Sequence, residues 1–524
     1  MEKPESVSEK WVVRATRPPR SATRRPADRN GGAQCSKEAV FIAWSGCSRS
    51  VRRVAGRHRR VACATQKRIC KQALSPPEMI ILAWRYYYRN TAPMNSDNLK
   101  GVLQQFVSRP LPQCRARELV LPIGSRKVVG LAGARRSGKT FLFFHTIRRL
   151  VAQGIGRPRL IYLNFEDDRL QPLHAEDLDL ILRCHRELFP ETIGQRCYLF
   201  LDEVQNVSGW ERWVRRLHDT EDVEVFVTGS SSQLLTRDLA TALRGRSLTL
   251  EVFPLSFAET LEFRGIVWKA SHPDSESVVR GALQHYLRWG GFPEVVLAEE
   301  ALRPLILGEY ASLMLYRDVV ERYGVRNEAL IRELLRFAFR NTATLVNVSK
   351  LHRDFTSLGF SVSKNTLHEY LGYLEDSFLV FLLPKQERSL RKQAHNPKKL
   401  HVIDPGLVAA FQGNPDRDVG RKLETTVFLH VRRQYRALYY YANGGEVDLC
   451  NEEGTAFWNT CWSLTDPDTA QREKRAMALG NSRAQRAKGV LLYHEFTSAL
   501  KSALPRAQPA WRWLLQPGKG KSQP

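Results

Sequence analysis

Gly133-Ala134-Arg135-Arg136-Ser137-Gly138-Lys139-Thr140 fits the pattern G-x-x-x-x-G-K-[S/T] at every fixed position. The glycines let the backbone wrap a phosphate without Cβ clashes. Successive N–H groups and the start of a following helix then point at the anion. Lys139 is placed to reach the β- and γ-phosphates, and the Thr140 hydroxyl to ligate Mg²⁺. All eight residues are therefore candidates for holding ATP.

A second motif completes the chemistry. Tyr198–Leu201 is apolar and ends in Asp202-Glu203, which puts two carboxylates at the C-terminal end of a buried strand. Asp202 is expected to hold Mg²⁺ and Glu203 to polarise an attacking water. A kinase acceptor brings its own hydroxyl and needs the second acid less, so the pair favours a hydrolase. The plain alternative is surface charge at a strand end.

Two weaker candidates follow. Val225-Phe226-Val227-Thr228 runs into Gly229-Ser230-Ser231-Ser232. Thr228 and Ser230 are expected to contact the nucleotide, sensing the γ-phosphate or orienting the water. A Gly/Ser turn that satisfies its own backbone is the competing reading. In Leu243-Arg244-Gly245-Arg246, Arg246 is the candidate arginine finger, against a solvated arginine.

These residues need a scaffold. Lys127–Ala132 reads as a strand feeding the Gly-rich loop. Phe141–Val151 then reads as a helix, with Phe141, Phe144, Ile147, Leu150 and Val151 at helical spacing. Leu160–Phe165, Tyr198–Leu201 and Glu224–Thr228 are further short apolar strands. Such alternation predicts an α/β fold, a parallel sheet with helices on both faces.

Beyond about Pro254 the periodicity becomes helical. Leu330, Leu334, Leu335 and Ala338 share one helix face, Val348, Leu351 and Phe355 a second, and Leu367, Tyr370, Leu371 and Leu374 a third. With the apolar Phe378–Leu383 after them, these predict a winged helix-turn-helix. Its recognition helix, Ser363–Asp376, carries Lys364 and His368 but also Glu369, Glu375 and Asp376. Double-stranded DNA and a protein surface thus both stay open as its partner. Arg388–Lys392 and Lys398-Lys399 are candidate phosphate contacts or a solvated face. Short strands and a helix return from about Leu400.

The chain has 524 residues and a net charge of +26. Met1–Pro93 holds 20 Lys and Arg against 6 Asp and Glu, more than half of the excess. Folded patterning starts after Met94, which reads as the translation start, with a basic extension before it. A transit peptide and a disordered basic tail are the other readings of this stretch. No apolar run approaches the roughly 18 residues of a membrane helix, so no membrane partner is expected. The nine cysteines form no CxxC pair and read as free thiols of a cytoplasmic protein. The expected units are 1–93, the basic extension; 94–265, the nucleotide-binding domain; 266–392, a helical lid and winged helix; and 393–524.

The motifs together resemble one family of prokaryotic AAA+ ATPases, which pair an AAA_14 domain with a C-terminal DUF4143 region. The matching pieces are Gly133–Thr140, Tyr162–Asp167, Leu201–Asn206 with Gly209–Glu211, Thr228–Ser231, Leu243–Arg246 and Phe253–Phe257. Gly290–Glu294, Tyr316–Val319, Tyr370–Asp376, Ile403–Gly406, Gly420–Glu424 and Glu446–Asp448 continue them in order. The resemblance runs from about Met94 to Glu495. It implies an ATP-binding, DNA-associated ATPase, with an unidentified protein client as a further partner. Its C-terminal domain would be similar to the restriction-endonuclease fold.

In that domain Glu424 and Asp448 would be the first two acidic positions of a metal-dependent nuclease. The next strand should supply an acid and a lysine. Phe457-Trp458-Asn459-Thr460-Cys461-Trp462 has neither, so a degenerate, binding role is expected for the two acids. A nucleotide-gated switch with little turnover, in signalling or defence, is the alternative to an ATPase.

Overall fold

A computed structural model of the chain describes residues 94–231, 243, 245–268, 273–411, 417–443, 445–483, 488–496, 504 and 506–516. The basic stretch Met1–Pro93, Ser232 and Arg244 lie outside them.

The first part of the described chain is a five-stranded sheet with flanking helices. Its elements are α1 (Ser96–Ser108), β1 (Val128–Ala132), α2 (Lys139–Ala152), β2 (Leu160–Asn164) and α3 (Asp179–Leu188). They continue with β3 (Cys197–Asp202), α4 (Trp210–Thr220), β4 (Val223–Gly229) and β5 (Ser247–Glu251). Strand order is β2-β3-β4-β1-β5, all parallel. β1 and β3 are buried along their whole length, as sheets covered on both faces require. Val129 and Leu131 pack in a cluster with Leu142, Phe143 and Ile147 of α2. Val128 and Ala132 belong to the cluster holding α1, α3 and α4. The period-2 alternation of β1 thus splits its side chains between two layers.

α2 departs from the expected face. Phe141 and Val151 are exposed, and Leu142, Phe143, Thr146, Ile147 and Leu150 are buried. The inward stripe sits one residue round the helix from Phe141. Tyr162 still uses the outer part of the predicted stripe, with its ring 4.9 Å from that of Phe144. β5 was not expected at all. It is an edge strand, half-buried throughout, and its Ser-Leu-Thr-Leu-Glu lacks the continuous apolar run that marks β1 and β3.

A helical block follows: α5 (Phe257–Phe263), α6 (Pro273–Trp289), α7 (Pro293–Leu297) and α8 (Arg303–Leu313). α8 runs on as a π-helix over Met314–Glu321. Next come α9 (Glu328–Arg340), β6 (Thr344–Val346), α10 (Val348–Ser357), α11 (Lys364–Asp376), β7 (Val380–Leu383), α12 (Leu390–His395) and β8 (Lys398–Val402). β6, β8 and β7 form an antiparallel three-stranded sheet in that order. The last part comprises α13 (Pro405–Phe411), α14 (Val419–Arg432), β9 (Leu438–Ala442), β10 (Glu446–Asn451) and β11 (Ala456–Ser463). α15 (Pro467–Arg483), β12 (Lys488–Glu495), β13 (Ala507–Pro509) and α16 (Ala510–Leu514) complete it. Its mixed sheet has the order β13-β12-β11-β10-β9.

Specific contacts tie these parts together. Arg432 of α14 pairs with Glu251 at the end of β5, at 2.7 Å. Asp404 accepts from the Gly291 and Gly406 N–H groups. Gly290, with φ +76°, leaves no room for a Cβ beside that carboxylate. Among the described residues no helix is long and apolar enough to cross a membrane.

Candidate functional site

β1 ends at Ala132 and the Gly-rich loop begins there. A Cβ on Gly133 would sit 2.2 Å from the Val252 carbonyl oxygen, so glycine is required sterically. Arg136 and Gly138 both adopt positive φ, which folds the loop back towards α2. Arg117 braces it from outside, donating to the Ser137 carbonyl and, through Nε, to Glu259. α2 has no side-chain cap at Gly138, which leaves its first N–H groups open for an anion.

Lys139 is buried. Its Nζ donates to the Gly133 and Ala134 carbonyls and lies 4.0 Å from Glu203 Oε1. The Thr140 hydroxyl donates to Asp202 Oδ2 at 2.6 Å. Asp202 also accepts from the Tyr162 hydroxyl at 3.1 Å and from the Thr228 hydroxyl. The candidate Mg²⁺ residues, Thr140 and Asp202, are thus brought together at the C-terminal ends of β1 and β3.

The two acids differ electrostatically. Burial, and then the neighbouring Glu203 charge, push the Asp202 carboxyl up from the ordinary aspartate range. Burial also acts upward on Glu203. There the Lys139, Arg135 and Arg322 cations and the Gln205 amide prevail, and hold the carboxyl below the usual range. Glu203 itself has φ +54°, a conformation that L residues with side chains adopt at a cost. That turn presents a charged acid next to Lys139.

Thr228 and Ser230 serve differently from the expectation. Thr228 donates to Asp202 and accepts from the Glu203 N–H at 3.0 Å. Its hydroxyl is used up in positioning both acids. Ser230 donates to Asp318 at 2.9 Å and accepts from Arg322 at 2.8 Å. Both side chains are fully buried.

Arg246 is not brought to the site. Its carbonyl accepts from the Val128 N–H, at the start of β1, and its guanidinium pairs with Asp219 at 3.1 Å. β5 runs parallel to β1 with Val128 opposite Ser247. The arginine therefore stands at the sheet edge away from the Gly-rich loop, roughly 16 Å distant at about 3.3 Å per residue. It cannot act on a nucleotide in its own chain.

Three residues with no individual role assigned from the sequence join the site. Arg135, in the loop, donates to Asp318 at 3.2 Å and to Glu166 at 2.8 Å. Asp318 and Arg322 come from the π-helix and its end, 3.5 Å apart. The signal available for Asp318 was its place in Tyr316–Val319, one of the pieces that carry the family resemblance.

The residues fit a magnesium nucleotide. Ser137 Oγ, Gln205 Oε1 and Arg322 Nη1 are buried without a hydrogen-bond partner, which natural proteins rarely tolerate away from function. The uncapped helix start and the Thr140–Asp202 pair are the two features such a ligand needs.

The C-terminal acids are arranged otherwise. Glu424 of α14 and Asp448 of β10 lie 2.8 and 3.1 Å from Lys399 Nζ, and Glu446 lies 2.6 Å from it. Asp448 also accepts from the Thr460 N–H. Lys399, expected to be solvated or to contact phosphate, is 2% exposed. It reaches from β8 into the neighbouring sheet because three carboxylates converge there. The ammonium thus occupies the centre of the acidic group. Among the described residues no three His, Cys, Asp or Glu side chains are grouped to hold a metal ion.

Comparison with known proteins matches residues 125–261 to an AAA domain, AAA_14. Residues 280–418 match a domain of unknown function, DUF8612, rather than the expected DUF4143. The chain is 31% identical over 422 residues to MJ1544 of Methanocaldococcus jannaschii, covering 76% of this chain and 90% of that protein. It is 31% identical over 322 residues to a Haemophilus influenzae protein, covering 61% and 78%. The Walker-type ATPase PABY2304 of Pyrococcus abyssi aligns with 62% of this chain and 97% of its own, at 14% identity and a TM-score of 0.34. The chain belongs to the family of MJ1544 and carries an AAA-type P-loop domain over residues 125–261.

Proposed function

We propose that this protein binds ATP with Mg²⁺ and hydrolyses it. The observation that carries the reading is Glu203: an ionised carboxylate beside Lys139, next in sequence to the acid that meets Thr140. The N–H groups of Gly133–Thr140 and the Lys139 ammonium would hold the phosphates. Thr140 and Asp202 would hold Mg²⁺, which supplies charge neutralisation when bound. Glu203 takes a proton from water as the water oxygen bonds to the γ-phosphorus. The bond to the bridging oxygen breaks and its electron pair leaves with ADP. Thr228 keeps both acids in register.

Residues 94–265 form the ATPase domain in this reading, 266–392 the helical lid and winged helix, and 393–524 a nuclease-like module. The order α9, β6, α10, α11, β7, β8 supports a winged helix, with double-stranded DNA as its partner class. Lys364, Asn365 and His368 are exposed on α11, and Arg388, Arg391 and Lys392 are exposed between β7 and β8, where phosphate contacts would lie. Lys399 at the centre of Glu424, Glu446 and Asp448 favours a binding module over a nuclease. Arg246 could serve as a finger only towards a second copy.

Phosphate release from ATP in Mg²⁺, with and without double-stranded DNA, tests the reading. Turnover that DNA stimulates supports it. Tight ATP binding with negligible turnover in both conditions would replace it with a nucleotide-gated switch.

A further inference from the structure

With Arg246 at the far edge of the sheet, the γ-phosphoryl end of the site needs another source of positive charge. We propose that Arg135 supplies it in cis, from within the Gly-rich loop, and that Asp318 is its positioning residue. The assignment rests on ATP hydrolysis at this site.

Arg135 is the third residue of the loop, and its charge helps to hold the Glu203 carboxyl below the usual range. Its guanidinium is shared between two acids of unlike standing. Asp318 is 1% exposed and takes Nε and Nη2; Glu166, 43% exposed in its side chain, takes Nη1 at 2.8 Å. The Glu166 contact is a surface ion pair and worth little. A γ-phosphate oxygen carries more charge than the Glu166 carboxylate and is the stronger partner for Nη1. Nη1 can therefore exchange Glu166 for a phosphate oxygen while Nε and Nη2 stay on Asp318.

Asp318 is built for that anchoring. It accepts from Arg135 and from Ser230, and its Oδ1 stands 3.5 Å from Arg322 Nη2. Arg322 is itself fixed on Ser230 through Nη2, while its Nη1 is buried and unpartnered. One carboxylate thus fixes a guanidinium from the loop and lies against a second from the end of the π-helix, and the Gln205 amide links their shared Ser230 to Glu203. Preorganised donors of this kind lower the barrier when charge develops, and they do so more than they tighten ground-state binding.

The test uses the purified full chain, with R135Q, R135K and D318N beside wild type. Phosphate release in Mg²⁺ gives kcat and KM, and titration with a fluorescent ATP analogue gives affinity. R135Q is expected to lower kcat by about 10²–10³-fold, with affinity changed by no more than about threefold. R135K keeps the charge but loses the planar fork. It should recover less than about a tenth of the rate, and it carries the test if R135Q does not fold. D318N should lower kcat by about tenfold at unchanged KM. Wild-type kcat in R135Q or R135K overturns the assignment, and so does an equal loss of affinity and rate. A wild-type chain that releases no phosphate overturns the hydrolysis reading itself and takes this assignment with it.

Discussion

The Thr140 hydroxyl donates a 2.6 Å hydrogen bond directly to Asp202 Oδ2. One residue opens the helix after the Gly-rich loop and the other closes β3, so the contact joins the two halves of the nucleotide site. In the proposed reading these two residues would hold Mg²⁺, which would neutralise phosphate charge when bound.

Removing the hydroxyl separates the ion from the phosphates. T140V should leave nucleotide affinity in EDTA within about twofold of wild type and lower it by about tenfold in Mg²⁺. Analogue titrations in the two buffers measure this. Equal affinities of T140V and wild type in Mg²⁺ would mean that Thr140 is no ligand.

Lys399 gives a prediction about the C-terminal module. Replacing one partner of a buried ion cluster leaves the others uncompensated, at a cost of about 3–5 kcal/mol. Glu446 is half-exposed and contributes least; Glu424 and Asp448 carry most of the penalty. K399M should therefore melt several degrees below wild type, and adding E424Q and D448N should recover part of the loss. Plasmid DNA should stay intact with the wild-type chain in Mg²⁺. Cleavage that disappears in D448A would contradict the binding role.

Much of the site was legible because its motifs are local. Gly133–Thr140 and Asp202-Glu203 each sit within a few residues of one strand end, and the strands carried continuous apolar runs. The misplacements have physical causes. Arg246 looked like a finger because β5, which fixes the direction of the chain there, is a half-buried edge strand without an apolar signature. Thr228 and Ser230 stood at the right strand end, but only packing shows that their hydroxyls are taken by Asp202 and Asp318. Lys399 meets acids 25 to 49 residues away, a convergence that no local pattern encodes. The side-chain part assigned to Arg135 was hidden for the same reason, since Asp318 lies 183 residues beyond it.

His430 of α14 supplies a pH dependence. It packs against Trp513 with ring centroids 4.6 Å apart. Burial, and then the Arg433 charge, push its imidazole down to about 3. The unfolded chain, with an ordinary imidazole near 6.5, binds the proton more readily. Stability from neutral His430 is therefore complete above about pH 6.5 and is lost as pH falls towards 3. H430F removes this one titration. Wild type should lose ~2 kcal/mol relative to H430F between pH 7 and pH 5. Paired denaturation curves at the two pH values check it, and parallel pH responses would contradict it.

The most direct test of the central claim is the fate of ATP on E203Q in Mg²⁺. Glutamine keeps the shape of the side chain but cannot take a proton from water. E203Q should bind the fluorescent ATP analogue within about threefold of wild type and lower kcat by about 10²–10⁴-fold, leaving intact ATP on the protein. Phosphate release by E203Q at the wild-type rate would contradict the assignment of Glu203, and with it the hydrolytic account of the site.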